Sequence, residues 1–277
     1  MPKVKIQNRL KALIFLFLLS ISYNLKAQNV SSIKRIIKDS VVIDLINPFL
    51  CPIEFSFKPK NEKNISFNYK SEILIKANDT NFNVFKFPLS VIKDTSKIDI
   101  NEFVESKGSF GDSKSIKLDK DFLFKLPFPK NKKYKVIQSF GGKFSHNLPH
   151  SKFAIDFNLE IGDTITAARN GKVFYVKEDS KKHGKTRDFI KYANKINILH
   201  DDGTIADYAH IDFNGALVEV GDYVEAGQPI ALSGLTGFTT TPHLHFVVFK
   251  GKNVSFPIYF EGYKNKILRK NSFYYRK

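Results

Sequence analysis

Short apolar and aromatic runs, separated by turn residues, recur along most of the chain. In the first half they fall at residues 40–46, 52–57, 65–69, 72–77 and 83–87. Runs of this length that are rich in β-branched and aromatic residues are typical of strands, and regular spacing between turn signals is typical of a sandwich. The pattern therefore predicts an all-β, sandwich-like module over residues 38–115, to which no chemistry can be attached.

The second half continues the strand pattern, most clearly at residues 171–176, 195–200, 204–210 and 243–249. No long segment with the 3.6-residue period of an amphipathic helix interrupts it. Two turns, beginning at Gly162 and Gly221, share the pattern Gly-Asp-x-(Val/Ile)-x-Ala, which is typical of a β-sandwich that uses one strand motif twice.

Composition changes between the two halves. Residues 93–121 are rich in Lys, Asp, Ser and Gly, which predicts a linker or a peripheral connection. We accordingly predict a linker at 116–129, a second domain at 130–255 and a C-terminal extension at 256–277.

The first residues have the pattern of a secretory signal peptide. Four basic residues precede an apolar run of about ten residues, which is too short to span a bilayer, and Ala27 lies where a small residue is needed for cleavage. We expect residues 1–27 to be removed, the mature chain to begin near Gln28, and the protein to be exported, to the periplasm or the medium, without a stable membrane anchor.

The net positive charge of the chain favours some classes of binding partner over others. The chain has 44 Lys and Arg against 27 Asp and Glu, and without residues 1–27 the balance is 39 against 27, or +12. A basic chain is attracted to polyanions, and export favours anionic envelope polymers and argues against nucleic acid. Cys51 is the single cysteine and lies in an apolar run, so we expect a buried small hydrophobe and no internal disulfide. The oligomeric state is not predictable.

Candidate chemistry is confined to the second half, because all seven histidines follow residue 145. In a strand, His243 and His245 project from one face. Asp156 stands in an apolar alternation where an unpaired carboxylate would be costly. Imidazole and carboxylate are the groups that a catalytic zinc prefers, commonly three of them with a fourth position open to water. Together with His210 these residues predict a metal centre.

The segments that carry these residues, SHNLPHSKFAIDF, INILHDDGTIADYAHID and GLTGFTTTPHLHF, occur in order within residues 130–255. This part of the chain resembles the lysostaphin-type, or LytM family, zinc metallopeptidases. The resemblance implies a duplicated-hybrid-motif β-sandwich, one Zn²⁺ per chain and hydrolysis of peptide bonds in peptidoglycan cross-links. Some similar proteins are catalytically silent and bind the wall or activate amidases, so that alternative is kept.

The resemblance also implies roles for individual residues. Asp156 and His245 match the zinc ligands, while His210 and His243 match the two catalytic histidines that are not ligands. The first ligand is less clear, because the commonest family spacing puts a histidine four residues before the aspartate, and here His150 lies six and His146 ten residues before it. Some members carry a longer loop with a Ser-His pair, and on that form His146 is predicted to be the ligand.

Overall fold

The computed structural model describes residues 29–61, 67–92, 94 and 98–277, so the predicted signal peptide lies outside the described residues. Strands dominate these ranges, and the helical turns are short 3-10 segments at Leu89–Val91, Ile100–Glu102 and Arg187–Tyr192. The predicted all-β class is confirmed. Within the described residues no helix is both long enough and apolar enough to cross a membrane.

In the part of the N-terminal half that the structure describes, seven strands are present. They are β1 (Ser31–Ile37), β2 (Ser40–Asn47), β3 (Ile53–Pro59), β4 (Asn68–Tyr69), β5 (Glu72–Ile75), β6 (Asp79–Pro88) and β7 (Val104–Phe110). One sheet has the order β1-β2-β6-β4 and the other β5-β3-β7. Aliphatic and Phe side chains from both sheets share one buried core, as two packed sheets require.

Two strands of this part were not expected from the sequence. β1 precedes residue 38, and all seven of its residues pair with β2. β7 lies inside the polar segment 93–121, and the expectation of a linker or peripheral connection is wrong for β7 because it pairs along its length with β3. Most side chains of both strands are exposed, including three isoleucines of β1, so neither strand alternates between buried apolar and exposed polar residues.

Sixteen further strands follow. They are β8 (Leu123–Phe124), β9 (Lys133–Gln138), β10 (Ile155–Phe157), β11 (Thr164–Thr166), β12 (Gly171–Lys177), β13 (His183–Gly184), β14 (Lys195–Leu199), β15 (Ile205–Ala209), β16 (Ile211–Ala216), β17 (Tyr223–Val224), β18 (Pro229–Ser233), β19 (Gly237–Phe238), β20 (Leu244–Lys250), β21 (Val254–Ser255), β22 (Tyr259–Phe260) and β23 (Phe273–Tyr275).

The large sheet of this part has the order β17-β12-β14-β15-β20-β10-β9-β23, with β21 joined to β20. A three-stranded sheet, β11-β18-β16, contributes Ile165, Ile211 and Ile230 to the same buried core as Phe246 of the large sheet. The two sheets therefore form a second sandwich. One face of the large sheet points into this core and the opposite face, called here the outer face, points away from it.

The two turns that share a sequence pattern also share a conformation. Gly162 and Gly221 both have positive φ, +87° and +107°. In each turn the following aspartate, Asp163 or Asp222, accepts a hydrogen bond of 2.8 Å from the backbone N–H three residues earlier. Each turn leads directly into a strand, β11 or β17, so the same local chemistry starts one strand in each of the two sheets.

The segments on either side of the predicted second domain are part of its core. Phe124, Leu126 and Phe128, within the predicted linker 116–129, are buried there, and so is Leu268 of the predicted extension 256–277. β8 also pairs with β22. The domain limits given above stay predictions, but the described packing joins both segments to the second sandwich.

A small aromatic contact joins the two sandwiches. Cys51 is fully buried beside Phe174 and Ile205, and the Phe110 ring meets the Phe174 ring edge-on at 4.9 Å. Burial raises the pKa of the Cys51 thiol to about 12, so Cys51 is a neutral packing residue, as expected. The N-terminal sandwich thus covers one end of the outer face, since Ile205 and its partner Phe249 lie there.

His200 is a buried histidine outside the predicted site. Its Nδ1 lies 2.8 Å from the Thr204 hydroxyl, which itself donates to Asp202 at 2.6 Å, so Nδ1 carries the hydrogen and donates to Thr204. Burial, reinforced by Arg169, lowers the pKa of His200 to about 3, and the imidazole is neutral in the folded protein.

We expect this burial to make the fold sensitive to acid. Below pH 6.5 the histidine of the unfolded chain takes up a proton, whereas His200 in the folded protein stays neutral down to about pH 3. The free energy of unfolding therefore falls as the pH drops through that window, by up to about 1.4 kcal/mol per pH unit. Urea unfolding at pH 6.5, 5.5 and 4.5 should give a smaller loss for His200→Asn, which keeps a donor near Thr204, than for wild type. Exposed His183→Asn serves as the control, and equal slopes for all three proteins would contradict the assignment.

Candidate metal centre

The pairing of β10 with β20 brings two of the predicted ligands together. Asp156 lies directly opposite His245, while their neighbours Ile155, Phe157 and Phe246 are buried in the core. Because successive side chains alternate between the two faces, the apolar neighbours fix Asp156 and His245 on the outer face. The His245 Nδ1 and the Asp156 Oδ1 are 2.8 Å apart.

The loop between β9 and β10 supplies the third member. His146 is fully buried, and its Nε2 lies 3.1 Å from Asp156 Oδ1 and 3.3 Å from His245 Nδ1. Within the described residues these three side chains are the one group of at least three that could hold a metal ion. The spacing of the three atoms is close to the edge of a tetrahedron with zinc-ligand bonds of 2.0–2.1 Å, about 3.3 Å.

The hydrogen-bond partners of His146 show that the group suits a cation. Its Nδ1 lies 2.9 Å from the Ser139 carbonyl, which can only accept, so Nδ1 carries a hydrogen and Nε2 is the ring nitrogen whose lone pair a metal ion can use. That lone pair faces a carboxylate oxygen. A proton or a metal ion between the two atoms removes their repulsion, and two imidazole nitrogens with one carboxylate oxygen, all within 4.8 Å of one another, are a donor set that fits Zn²⁺.

Gln138 supports the carboxylate from the other side. Its amide donates to Asp156 Oδ2 at 3.1 Å and to the Ser145 hydroxyl at 2.6 Å, and so joins the ligand strand to the His146 loop. Gly142 leaves space for this side chain, because a Cβ at that position would come within 2.4 Å of Gln138 Cγ. Partners of this kind orient metal ligands.

His210 and His243 lie beside the three converging groups. Their ring centroids are 4.5 Å apart, and His243 Nε2 is 3.9 Å from Asp156 Oδ1. Each donates Nδ1–H to a backbone carbonyl, that of Thr236 at 2.6 Å for His210 and that of Thr241 at 2.9 Å for His243. Both rings therefore keep a free lone pair at Nε2, as a proton acceptor requires.

A corner in the chain sets the position of His210. It stands between β15 of the large sheet and β16 of the three-stranded sheet, with φ at +67°. A positive φ is uncommon for a residue with a side chain, although histidine is among the more tolerant, and such conformations occur often at functional sites. The chain thus changes sheets at the residue that it places beside Asp156.

Charge in the group is balanced around Asp156. Burial acts to raise the pKa of Asp156, but His243, His146 and His245 outweigh it and hold the pKa well below the usual range. Burial lowers the pKa of both His210 and His243. Burial also acts to lower the pKa of His245, but the adjacent Asp156 overcomes this and raises it. The group therefore combines one carboxylate, Asp156, with two histidines, His210 and His243, whose lowered pKa favours the neutral imidazole that can accept a proton.

The structure brings together all five residues predicted from the sequence and leaves His150 outside. His150 is exposed on the loop and is not one of the three converging groups. Sequence reasoning missed Gln138 and the carbonyls of Ser139, Thr236 and Thr241. Backbone carbonyls have no sequence signal, and Gln138 carries only a weak one, its position at the end of a strand before the Ser-His loop.

Comparison with known proteins agrees with this geometry. Residues 150–257 match the profile of peptidase family M23. These residues form a peptidase family M23 domain. The match includes Asp156, His210, His243 and His245, while His146 lies just before it.

Two relatives of the M23 domain have different described roles. The peptidoglycan DD-endopeptidase ShyB of Vibrio cholerae is 34% identical over 160 residues, 55% of this chain and 33% of ShyB. The murein hydrolase activator NlpD of Salmonella dublin is 35% identical over 122 residues, 44% of this chain and 28% of NlpD. The chain spans a third or less of the length of the curated relatives it matches.

A solved structure also matches this part of the chain. The catalytic domain of lysostaphin from Staphylococcus simulans is 28% identical, with a TM-score of 0.34, and the match covers 46% of this chain and 88% of that domain. The sequence resemblance to the lysostaphin-type family is confirmed for the M23 domain by the family match over residues 150–257.

Zinc binding distinguishes between the two candidate first ligands. We expect His146→Ala to lose zinc affinity by more than the roughly 10- to 100-fold that loss of a supporting partner costs, because one of three ligands is removed. His150→Ala, on the same loop, should bind as wild type. Competition titration against a chromophoric chelator measures both. Full affinity in His146→Ala would refute the assignment, and loss only in His150→Ala would transfer it to that residue.

Proposed function

We propose that the protein is an exported zinc metalloendopeptidase that hydrolyses peptide bonds in bacterial peptidoglycan. The observation that carries the proposal is the convergence of His146, Asp156 and His245 with two further histidines whose lone pairs remain free. A binding module needs neither a complete donor set nor proton acceptors beside it. The relative named as a peptidoglycan DD-endopeptidase supports the substrate class.

In this proposal His146, Asp156 and His245 hold the metal. A bound zinc ion would make a water molecule nucleophilic near neutral pH and would polarise the scissile carbonyl. Gln138 and the Ser139 carbonyl keep Asp156 and His146 in the orientation that binding requires.

The remaining steps belong to the two other histidines. His210 and His243 are neutral, and their Nδ1–H groups are engaged by carbonyls, so Nε2 is the atom that accepts a proton from the attacking water. The protonated imidazole then returns the proton to the leaving amine and donates a hydrogen bond to the oxyanion. The structure does not divide these tasks between the two rings.

Export follows from the pattern of residues 1–27, and the substrate would meet the protein in the periplasm or the medium. A second candidate is a catalytically silent protein that binds the wall or activates an amidase, which the relative named as a murein hydrolase activator favours. All five site positions are filled in this chain, which favours the enzyme.

Digestion of peptidoglycan sacculi tests the proposal. Purified protein beginning at Gln28 and loaded with zinc should release peptide-cleaved fragments, identified by mass spectrometry, and a zinc chelator should abolish release. His210→Asn tolerates the positive φ of this position but cannot act as a base, so it should bind zinc normally and release fragments at least about 100-fold more slowly.

His183→Asn changes an exposed histidine that is not one of the five site residues, so it is the matched control and should be fully active. If zinc-loaded wild type releases nothing, the silent alternative is favoured. If His210→Asn is as active as wild type, the proposed proton transfer is wrong.

A further inference from the structure

The end of the large sheet beside the candidate metal centre has an unusual charge. Residues 129–135 and 262–277 contain ten Lys and Arg and no Asp or Glu. The two segments are called here the basic edge. Its cationic residues are Lys130, Lys132, Lys133, Lys135, Lys264, Lys266, Arg269, Lys270, Arg276 and Lys277.

Strand pairing brings the two segments together although they are more than 120 residues apart in the sequence. β23 is the terminal strand of the large sheet and pairs with β9. Beyond the pairing, Asn131 N–H donates to the Arg276 carbonyl at 2.8 Å, and Arg276 N–H donates to the Lys132 carbonyl at 3.0 Å. Eight of the ten cationic residues are exposed.

The other two cationic residues, Arg276 and Lys135, are half-buried. The Arg276 guanidinium donates to the Phe128 carbonyl and the Thr166 hydroxyl, which fixes β23 to the core of the M23 domain. Since Arg276 is already bound, the other nine residues are the ones that can meet an outside anion.

Exposed aromatic rings lie opposite two lysines of the basic edge. Phe273 is 63% exposed and lies opposite Lys135, while Tyr275 is 40% exposed and lies opposite Lys133. The Lys133 ammonium is 5.7 Å from the centroid of the Phe273 ring. Tyr274, between them, packs against the core instead. Flat rings flanked by ammonium groups suit a ligand with both sugar-like faces and anionic groups.

The strand residues of the basic edge lie on the same outer face as Asp156. Val136 of β9 is buried in the core, so Lys133 and Lys135, which alternate with it, point to the outer face. Gln138 of the same strand points there too, because an irregularity in the pairing with β10 shifts the alternation between Val136 and Gln138, and Gln138 donates to Asp156. β10 and β23 are two strand spacings apart, about 10 Å. A ligand lying across this face would meet the basic edge and the candidate metal centre together.

We propose that the basic edge binds an anionic wall polymer, a glycan with carboxylate-bearing peptides, and holds it beside the candidate metal centre. The proposal rests on the proposed function. Charge complementarity gives the attraction, and the exposed rings give a surface on which sugars stack. A lipid bilayer fits less well, because one lying on this face would also cover Asp156 and its neighbours.

Co-sedimentation with insoluble sacculi tests the proposal directly. The protein is treated with chelator during the assay so that binding is measured without cleavage. The variant Lys130→Gln, Lys132→Gln, Lys133→Gln removes three exposed charges, and Lys34→Gln, Lys58→Gln, Lys76→Gln removes three exposed charges from the N-terminal sandwich as the matched control.

We expect the basic-edge variant to bind sacculi at least about tenfold more weakly than wild type at low salt, with a smaller loss on adding salt, because fewer charges are screened. The control variant should bind as wild type. Replacement of the same three residues by Arg should restore binding, which a folding defect would not allow. Phe273→Ala, Tyr275→Ala should also weaken binding.

Equal binding by the basic-edge variant and the control would overturn the proposal. So would tighter binding to vesicles of phosphatidylglycerol and phosphatidylcholine than to sacculi, which would assign the surface to a membrane. The outcome is separable from the proposed function. Binding that depends on the basic edge without any hydrolysis would contradict only the enzyme, while hydrolysis with binding independent of the edge would contradict only this inference.

Discussion

The cross-strand pair of Asp156 and His245 is the contact on which the rest of the site depends. Both residues stand in strands whose other side chains are deeply apolar, and the burial of Ile155, Phe157 and Phe246 fixes which way the polar pair points. A shift of one residue in this register would bury the carboxylate in the core, at a large cost in free energy. Hydrophobic packing therefore sets the geometry of the candidate metal centre.

Backbone carbonyls then determine what each histidine can do. His146, His210 and His243 each donate Nδ1–H to a backbone carbonyl, which leaves Nε2 for the candidate metal centre, although they come from a loop, a corner between sheets and the residue before a strand. His245 differs, because its Nδ1 faces Asp156. Three histidines thus turn Nε2 toward the candidate metal centre and His245 turns Nδ1 toward it. The hydrogen-bond partner that the local backbone offers decides which ring nitrogen is used.

The sequence allowed much of the site to be predicted, because its chemistry follows a local pattern. Alternation around Asp156 and in the segment His243 to His245 identifies the face, and the family resemblance supplies the roles. His146 needed the resemblance as well, since His150 is nearer in sequence and equally suited by residue type. Gln138 and the three carbonyls could not be predicted, because their contribution depends on a loop conformation that no residue pattern encodes.

The strands also differ in whether a local sequence pattern predicts them. Strands with buried alternation, such as β2 and β20, were predicted close to their observed limits. β1, β7 and β23 were missed because each is an edge strand whose side chains are mostly exposed, so none shows buried alternation, and the pairing of β7 and β23 is decided by partners far away in the sequence. The same long-range pairing assembles the basic edge from two distant lysine-rich segments.

The most direct test of the central claim is X-ray absorption at the zinc edge on protein loaded with one equivalent of zinc. The geometry predicts a first shell with two imidazole nitrogens and carboxylate or water oxygen at about 2.0–2.2 Å. The imidazole contribution should fall from two rings to one in His245→Ala. A shell with three or four imidazoles would mean that His210 or His243 is a ligand, and would contradict the separation of metal-binding and proton-accepting histidines.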